Sequence, residues 1–380
     1  DRVVAAKKEP PVMPASAQQQ EQILNWLKES QGDMLALLEQ LVNIDSGSYN
    51  KEGVDKVGEA VKAFLDEHGV GTSRIPVESH GDSFRGMVAG TGSNRPIMLL
   101  GHRDTVFPDG EVERRPFKIE GNRAYGPGVA DMKAGVVMNA FVLAAFQKFG
   151  GAPGPLVGLF TGDEEIGSPT SRPIIENEAR GARVVFNSEP GRPTGNVVVE
   201  RKGGIFFEVE ITGVAAHSGG AHDKGRSAIG ELAHKIQAWH DLTDYDSGIT
   251  VNVGLISGGQ SVNTVAPYAS CGIDLRYRQP ADRAGIVARI MEIANKNTVP
   301  DTSAEIRIKG EFAPLAPTEA SDTLFKHYVA SASQAGLSVE GEASGGCADS
   351  GFTAGVGTPT HTRRHIYRQR RGRSTQFLAA

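Results

Sequence analysis

Cysteine is nearly absent: Cys271 and Cys347 are the two in 380 residues. Two thiols cannot build a disulfide framework. No unbroken run comes near the ~18 apolar residues of a membrane-spanning helix. Positive charge is not in excess either: 40 Lys and Arg face 45 Asp and Glu, for a net charge of −5. That balance gives no global attraction to nucleic acid or to an anionic membrane, and neither is expected as a partner. No charged-then-apolar signal segment is visible, which leaves the compartment open between cytoplasm and periplasm. Glycine is plentiful, with 47 residues, about 12% against a usual ~7%. Tight turns and close backbone approaches are therefore expected.

At about 100–200 residues per domain, the length predicts two domains. Residues 1–20 are rich in Pro, Ala and Gln and read as a disordered lead-in. Helical spacing of apolar residues marks 22–41, 52–69 and 133–148. Short apolar runs at 96–100, 156–160 and 183–186 read as buried strands of a doubly wound, mostly parallel α/β sheet. This catalytic part spans 21–198 and resumes over 313–360. Between them, 199–312 reads as βαββαβ, the order of an inserted ferredoxin-like α+β unit. Residues 361–380 form an atypical basic tail, with six Arg, two His and no acid.

The chemistry gathers where strands end. The first run leads into His102 and Asp104, the second into Glu164 and Glu165, the third into Glu189. Asp131 stands just before an apolar helix. In open α/β sheets ligands sit beyond the carboxyl ends of strands. One imidazole with several carboxylates suits Zn²⁺, Co²⁺ or Mn²⁺, and crowded carboxylates need a cation or protons to coexist. Taken singly, His102 would read as a loop histidine, Asp104 and Asp131 as helix caps, and Glu164-Glu165 as a solvated turn. Their joint placement at element ends favours a two-metal hydrolytic centre.

GHRDTV (101–106), YGPGVADMKAG (125–135), GDEEIGS (162–168) and NSEPG (187–191) resemble the motifs of the two-metal amidohydrolase and carboxypeptidase family. That family includes glutamate carboxypeptidase, succinyl-diaminopimelate desuccinylase, acetylornithine deacetylase and aminoacylase. The resemblance covers about 20–360 and is nearest in texture to bacterial glutamate carboxypeptidase. It implies two divalent metals, with zinc expected and cobalt or manganese as alternatives. It implies that His102, Asp131, Glu165 and Glu189 are the ligands, with Asp131 bridging and followed by a cis peptide. It implies that Asp104 orients His102 and that Glu164 is the general base. From the inserted domain it implies His217 as an oxyanion donor acting in a partner subunit. Asn263, Arg276, Gly345 and Gly346 are implied to hold substrate, with Arg276 clamping a carboxylate bidentately. On spacing alone, His217 also reads as a surface loop residue and Arg276 as a strand-face salt bridge.

The resemblance breaks at the tail. Relatives continue with a strand, a loop ending in a final metal-binding His, and an apolar helix. Here His361 and His365 arrive early, and whether either substitutes is left open. The jump in Arg and the loss of apolar periodicity suggest a shifted reading frame or an altered end. The expected substrate is a small peptide or N-acylamino acid, cleaved to release a C-terminal amino acid, glutamate first. Two readings compete with it: a deacylase of another N-acylamino acid or aromatic amide, and a family member impaired by the missing His. A homodimer through the inserted domain is also implied.

Overall fold

A computed structural model describes residues 16–362, apart from Ser93. The basic tail from 363 onward, including His365, lies outside the described residues, as do residues 1–15. The chain divides into two compact units. The first is built from residues up to Val199, from Pro317–Ala343 and from Phe352 onward. The second is Glu200–Ala316 with Ser344–Gly351.

The first unit holds an eight-stranded sheet. Its order is Gly71–Ile75, Ser83–Val88, Leu156–Thr161, Ile97–His102, Val184–Asn187, Thr360–Thr362, Val197–Arg201, Gly341–Ser344. The four central strands run parallel, and antiparallel neighbours flank them. All six residues of Leu156–Thr161 are buried, so both faces of the centre are covered. Helices Ala17–Glu29, Gln31–Val42, Lys51–Glu67 and Ala134–Lys148 join these strands in one apolar cluster. By length and composition Val129–Lys148 is apolar enough to cross a membrane. Buried along most of its length, it is the central core helix, and a helix apolar all round suits that place.

Three expectations shift. Residues 17–20 of the presumed lead-in are helical. The Ser16 side chain accepts from Gln19 N, and Gln19 Nε2 donates to Phe149 O and Gly151 O. The helix read over 22–41 breaks at Ser30, whose hydroxyl bonds Trp26 O and competes with the helical ladder. Finally, His361 and Thr362 belong to a central strand rather than to the tail.

The second unit has strands Gly203–Thr212, Thr250–Gly258, Tyr268–Tyr277 and Ser303–Phe312, and helices Ala228–His240 and Asp282–Asn295. All strand pairs are antiparallel, in the order second, third, first, fourth. This is the ferredoxin-like arrangement. Burial alternates strictly along Tyr268–Tyr277, so one sheet face joins the core and the other is open.

A buried ion pair pins this unit's helices. Lys235 Nζ donates to the carbonyls of Ile293, Ala294 and Lys296, which caps the C-terminus of Asp282–Asn295. The three ammonium protons are thereby used. Glu231 Oε1 lies 2.8 Å from Nζ, and Oε2 accepts from Thr298 N and Val299 N. Burial alone would raise the Glu231 carboxyl. Lys235 and the two N–H groups outweigh it and hold the group below its ordinary range. Its stabilisation is therefore complete above the ordinary glutamate range and is lost as pH falls through the depressed value. Lys235→Ala should cost about 3–5 kcal/mol, because it strands a buried carboxylate. Denaturant unfolding checks this; an unchanged midpoint would contradict it.

Candidate metal centre

The acidic and imidazole groups of the candidate site emerge where buried elements stop or start. His102 is the last residue of Ile97–His102 and is 1% exposed. Glu189 follows Val184–Asn187. Its neighbour Ser188 bonds Leu100 O through N and Asn139 Oδ1 through Oγ. Asn139 Nδ2 in turn donates to Leu100 O, so one buried amide ties two strand ends together. Asp131 lies in the turn entering Ala134–Lys148, and the Asp131–Met132 peptide is cis, as the resemblance implied. Gly128 makes this turn possible. Its φ is +70°, and an added Cβ would sit 2.5 Å from Thr105 Cγ2.

The structure brings His102, Asp131 and Glu189 together. One ligating atom from each lies within 4.8 Å of the others. His102 Nε2 is 3.3 Å from Asp131 Oδ1, 3.7 Å from Glu164 Oε2 and 3.9 Å from Glu189 Oε1. Glu165 is outside this tight group but senses it. Burial pushes its carboxyl up to about 7; nearby His102 opposes the shift, while Asp131, Asp104 and Glu189 add to it.

Asp104 is fully buried and holds the pieces in register. Its Oδ1 accepts from Glu164 N, and Oδ2 accepts from Glu165 N and from Ser48 Oγ. His102 Nδ1 lies 3.1 Å from the Asp104 backbone carbonyl and 3.3 Å from Oδ1. Both are acceptors, so Nδ1 carries a proton and Nε2 is the nitrogen left to take a proton or a cation. Asp163 braces the same loop by accepting from the N–H and hydroxyl groups of Thr170 and Ser171.

These donors fit a divalent cation. Nε2 of His102 is buried, makes no hydrogen bond, and faces three carboxylates. Burial alone would lower the imidazole pKa. Glu164, Asp104 and Asp131 prevail and raise it well above its ordinary value. A site that must draw in a proton or a cation, built from one imidazole and several carboxylates, suits a borderline metal such as zinc. His361 takes no part. Its Nε2 lies 2.8 Å from Ser321 O, with its ring against Phe325.

The candidate residues of the second unit form two groups. His217 Nδ1 accepts from Gly219 N at 3.2 Å and Gly220 N at 3.1 Å. Backbone N–H groups can only donate, so the neutral ring carries its proton on Nε2 and points a donor outward. Long-range proton–nitrogen NMR should find this tautomer; an Nδ1–H ring would contradict it. The Asn263 carbonyl accepts from Ser218 N, which joins the two loops. In the other group, Gly346 O accepts from Arg201 Nη1, and Gly346 N bonds Ser344 Oγ. Arg276 makes the strand-face salt bridge that its spacing offered. Asp274 takes its Nε and Nη2, and Cys347 its Nη1, so its side edge is not open to a ligand.

Ser48, Asn139 and Asp163 were not singled out in the sequence. Asn139 leaves a trace there, as a polar residue within the apolar stretch 136–145.

Sheet, inserted ferredoxin-like unit and His–carboxylate cluster define a metal-dependent hydrolase of the exopeptidase and amidohydrolase type. Residues 98–366 match Peptidase family M20/M25/M40, and the chain belongs to that family. It is 29% identical over 352 residues to carboxypeptidase G2 of Pseudomonas sp. (strain RS-16), which covers 91% of this chain and 84% of that protein. It is also 29% identical over 258 residues to succinyl-diaminopimelate desuccinylase of Gluconobacter oxydans, covering 62% of this chain and 65% of that one. Among solved structures, the M20 metallo-carboxypeptidase Sso-CP2 of Sulfolobus solfataricus superposes with a TM-score of 0.72. The identity is 18%, covering 87% of this chain and 90% of that one. Human carnosine dipeptidase 1 gives 0.70 at 12% identity, covering 90% and 92%.

Proposed function

We propose that this metallo-hydrolase cleaves an amide bond to release a C-terminal amino acid, with glutamate the first candidate. The observation that carries the reading is the convergence of His102, Asp131 and Glu189, with the Glu164 carboxylate 3.7 Å from the same imidazole nitrogen. Similarity to carboxypeptidase G2 over 91% of the chain supports glutamate as the released residue.

His102, Asp131, Glu165 and Glu189 would hold the cations. A pair of divalent ions there, zinc first, supplies Lewis-acid polarisation and acidifies water at neutral pH. Asp104 fixes the His102 tautomer through Nδ1 and sets the Glu164-Glu165 backbone through two N–H groups. Glu164 takes the proton from the attacking water and delivers it to the leaving amine. His217, with its donor on Nε2, suits stabilisation of the oxyanion. Arg276 is the group for the released carboxylate, with Asn263 and the Gly345-Gly346 loop as further substrate contacts.

The unit carrying His217 is also the proposed dimer contact. Leu255 and Ile256 on the edge strand Thr250–Gly258 are 74% and 65% exposed, suiting pairing with a second copy. Sedimentation would report the dimer, and Leu255→Glu should shift it to monomer.

The deciding experiment measures glutamate release from N-acylglutamate and folate-like substrates, with and without Zn²⁺ or Co²⁺. N-acyl derivatives of other amino acids run beside them. Preference for N-succinyl substrates would favour the desuccinylase reading, which the Gluconobacter relative supports. No metal-dependent hydrolysis of any of them would overturn the proposal and favour the impaired-enzyme reading.

A further inference from the structure

Arg276 is unusual in how fully its surroundings fix it. It lies on Tyr268–Tyr277 and shares a sheet face with Asp274, opposite the buried Ile273, Leu275 and Tyr277. The Asp274 carboxylate grips it side-on, at 2.7 Å from Nε and 2.8 Å from Nη2. The Phe206 ring lies 5.2 Å from Cζ. Nη1 donates to Cys347 Sγ, on the Ser344–Gly351 segment. Across the strand pair is Gly204. A Cβ there would sit 3.1 Å from Nη1 and 3.0 Å from Sγ, so the guanidinium fills space that only glycine leaves.

A guanidinium has five N–H donors. Asp274 takes two and Cys347 one, which leaves one on each terminal nitrogen. Asp274 already balances the charge. A second anion beside Nη1 would therefore leave nothing for a ligand carboxylate. Burial pushes the Cys347 thiol up, against the pull of Arg276, and keeps it a neutral acceptor.

We propose that Asp274 and Cys347 are positioning residues for Arg276, and that position 347 sets whether Arg276 can take an anionic leaving group. A neutral acceptor there orients Nη1 and leaves the clamp open; an anionic one closes it. This rests on Arg276 holding the released carboxylate. Cys347 touches no reacting atom in this scheme and acts through Arg276.

The test compares Cys347→Ser, Cys347→Ala, Cys347→Asp and Arg276→Ala in the full metal-loaded chain, with KM and kcat for N-acylglutamate. Cys347→Ser should stay within about twofold of the parent. Cys347→Ala should raise KM about 2–10-fold, the loss of one hydrogen bond. Cys347→Asp should raise it at least about tenfold. In each case kcat should hold, whereas a general packing defect would lower kcat as well. If Arg276→Ala raises KM and Cys347→Asp does not, the inference falls and the carboxylate clamp stands. If Arg276→Ala leaves KM unchanged, the clamp itself falls.

A second arm needs no turnover. Iodoacetate and iodoacetamide alkylate Cys347 as the sulfur forms a C–S bond, iodide leaves and the thiol proton goes to water. Peptide mass spectrometry follows the rates. Arg276 should favour the anionic reagent over the neutral one, and Arg276→Ala should reduce that preference several-fold. The same ratio in both proteins would overturn the contact.

Discussion

Glu164→Gln is expected to lower kcat by about 10²–10⁴-fold, the range a positioned general base contributes. Bound metal should stay near the parent level. Gln matches Glu in shape, and the backbone N–H of residue 164 still reaches Asp104 Oδ1. What is lost is the group that accepts a proton from water and hands it on. His102, Asp131 and Glu189, which form the tight cluster, are untouched. Paired elemental analysis and initial rates separate the outcomes. Lost metal together with lost rate would make Glu164 a ligand. An unchanged rate would move the base elsewhere.

Much of this centre was legible because burial writes itself into apolar runs. Residues 98–100 and 156–160 are buried on both faces, so their ends could be read as the ends of central strands, with His102 and Glu164 just beyond. The supports were harder to see. Ser48 meets Asp104 across 56 positions and Asn139 meets Ser188 across 49, and no local pattern marks a partner that distant. The grip of Asp274 on Arg276 was readable in principle, since residues two apart on a strand share a face. The spacing offered a strand-face salt bridge for Arg276, and Asp274 is its partner. Ser30 broke a helix whose apolar spacing ran straight through it, because a single hydroxyl-to-carbonyl bond leaves that spacing intact. The second unit was legible as a fold from its βαββαβ order. Its buried Lys235 was not, because its three carbonyl partners lie about 60 residues on and outside any helical repeat.

Asp104→Ala should be the most damaging single change in the first unit outside the ligands. The carboxylate, itself with no exposure, accepts from Ser48 Oγ, Glu164 N and Glu165 N and faces His102 Nδ1. Removing it leaves two buried donors and one part-buried donor unsatisfied and frees the imidazole tautomer. Metal affinity should fall about 10–100-fold. Apo-protein stability should fall by about 3–5 kcal/mol, the cost of breaking a buried ionic network from one side. Asp104→Asn separates the two effects. It keeps the volume and one oxygen, so most stability should survive. Either amide orientation turns an NH₂ toward a donor: Glu164 N on one side, Glu165 N and Ser48 on the other. The loop carrying both glutamates should then shift, and affinity should drop nearly as far as with Ala. Chelator competition measures the first quantity and urea unfolding of the apo form the second. Parent-like affinity in Asp104→Asn would mean that shape alone holds the centre, and that the carboxylate's charge and acceptors do not.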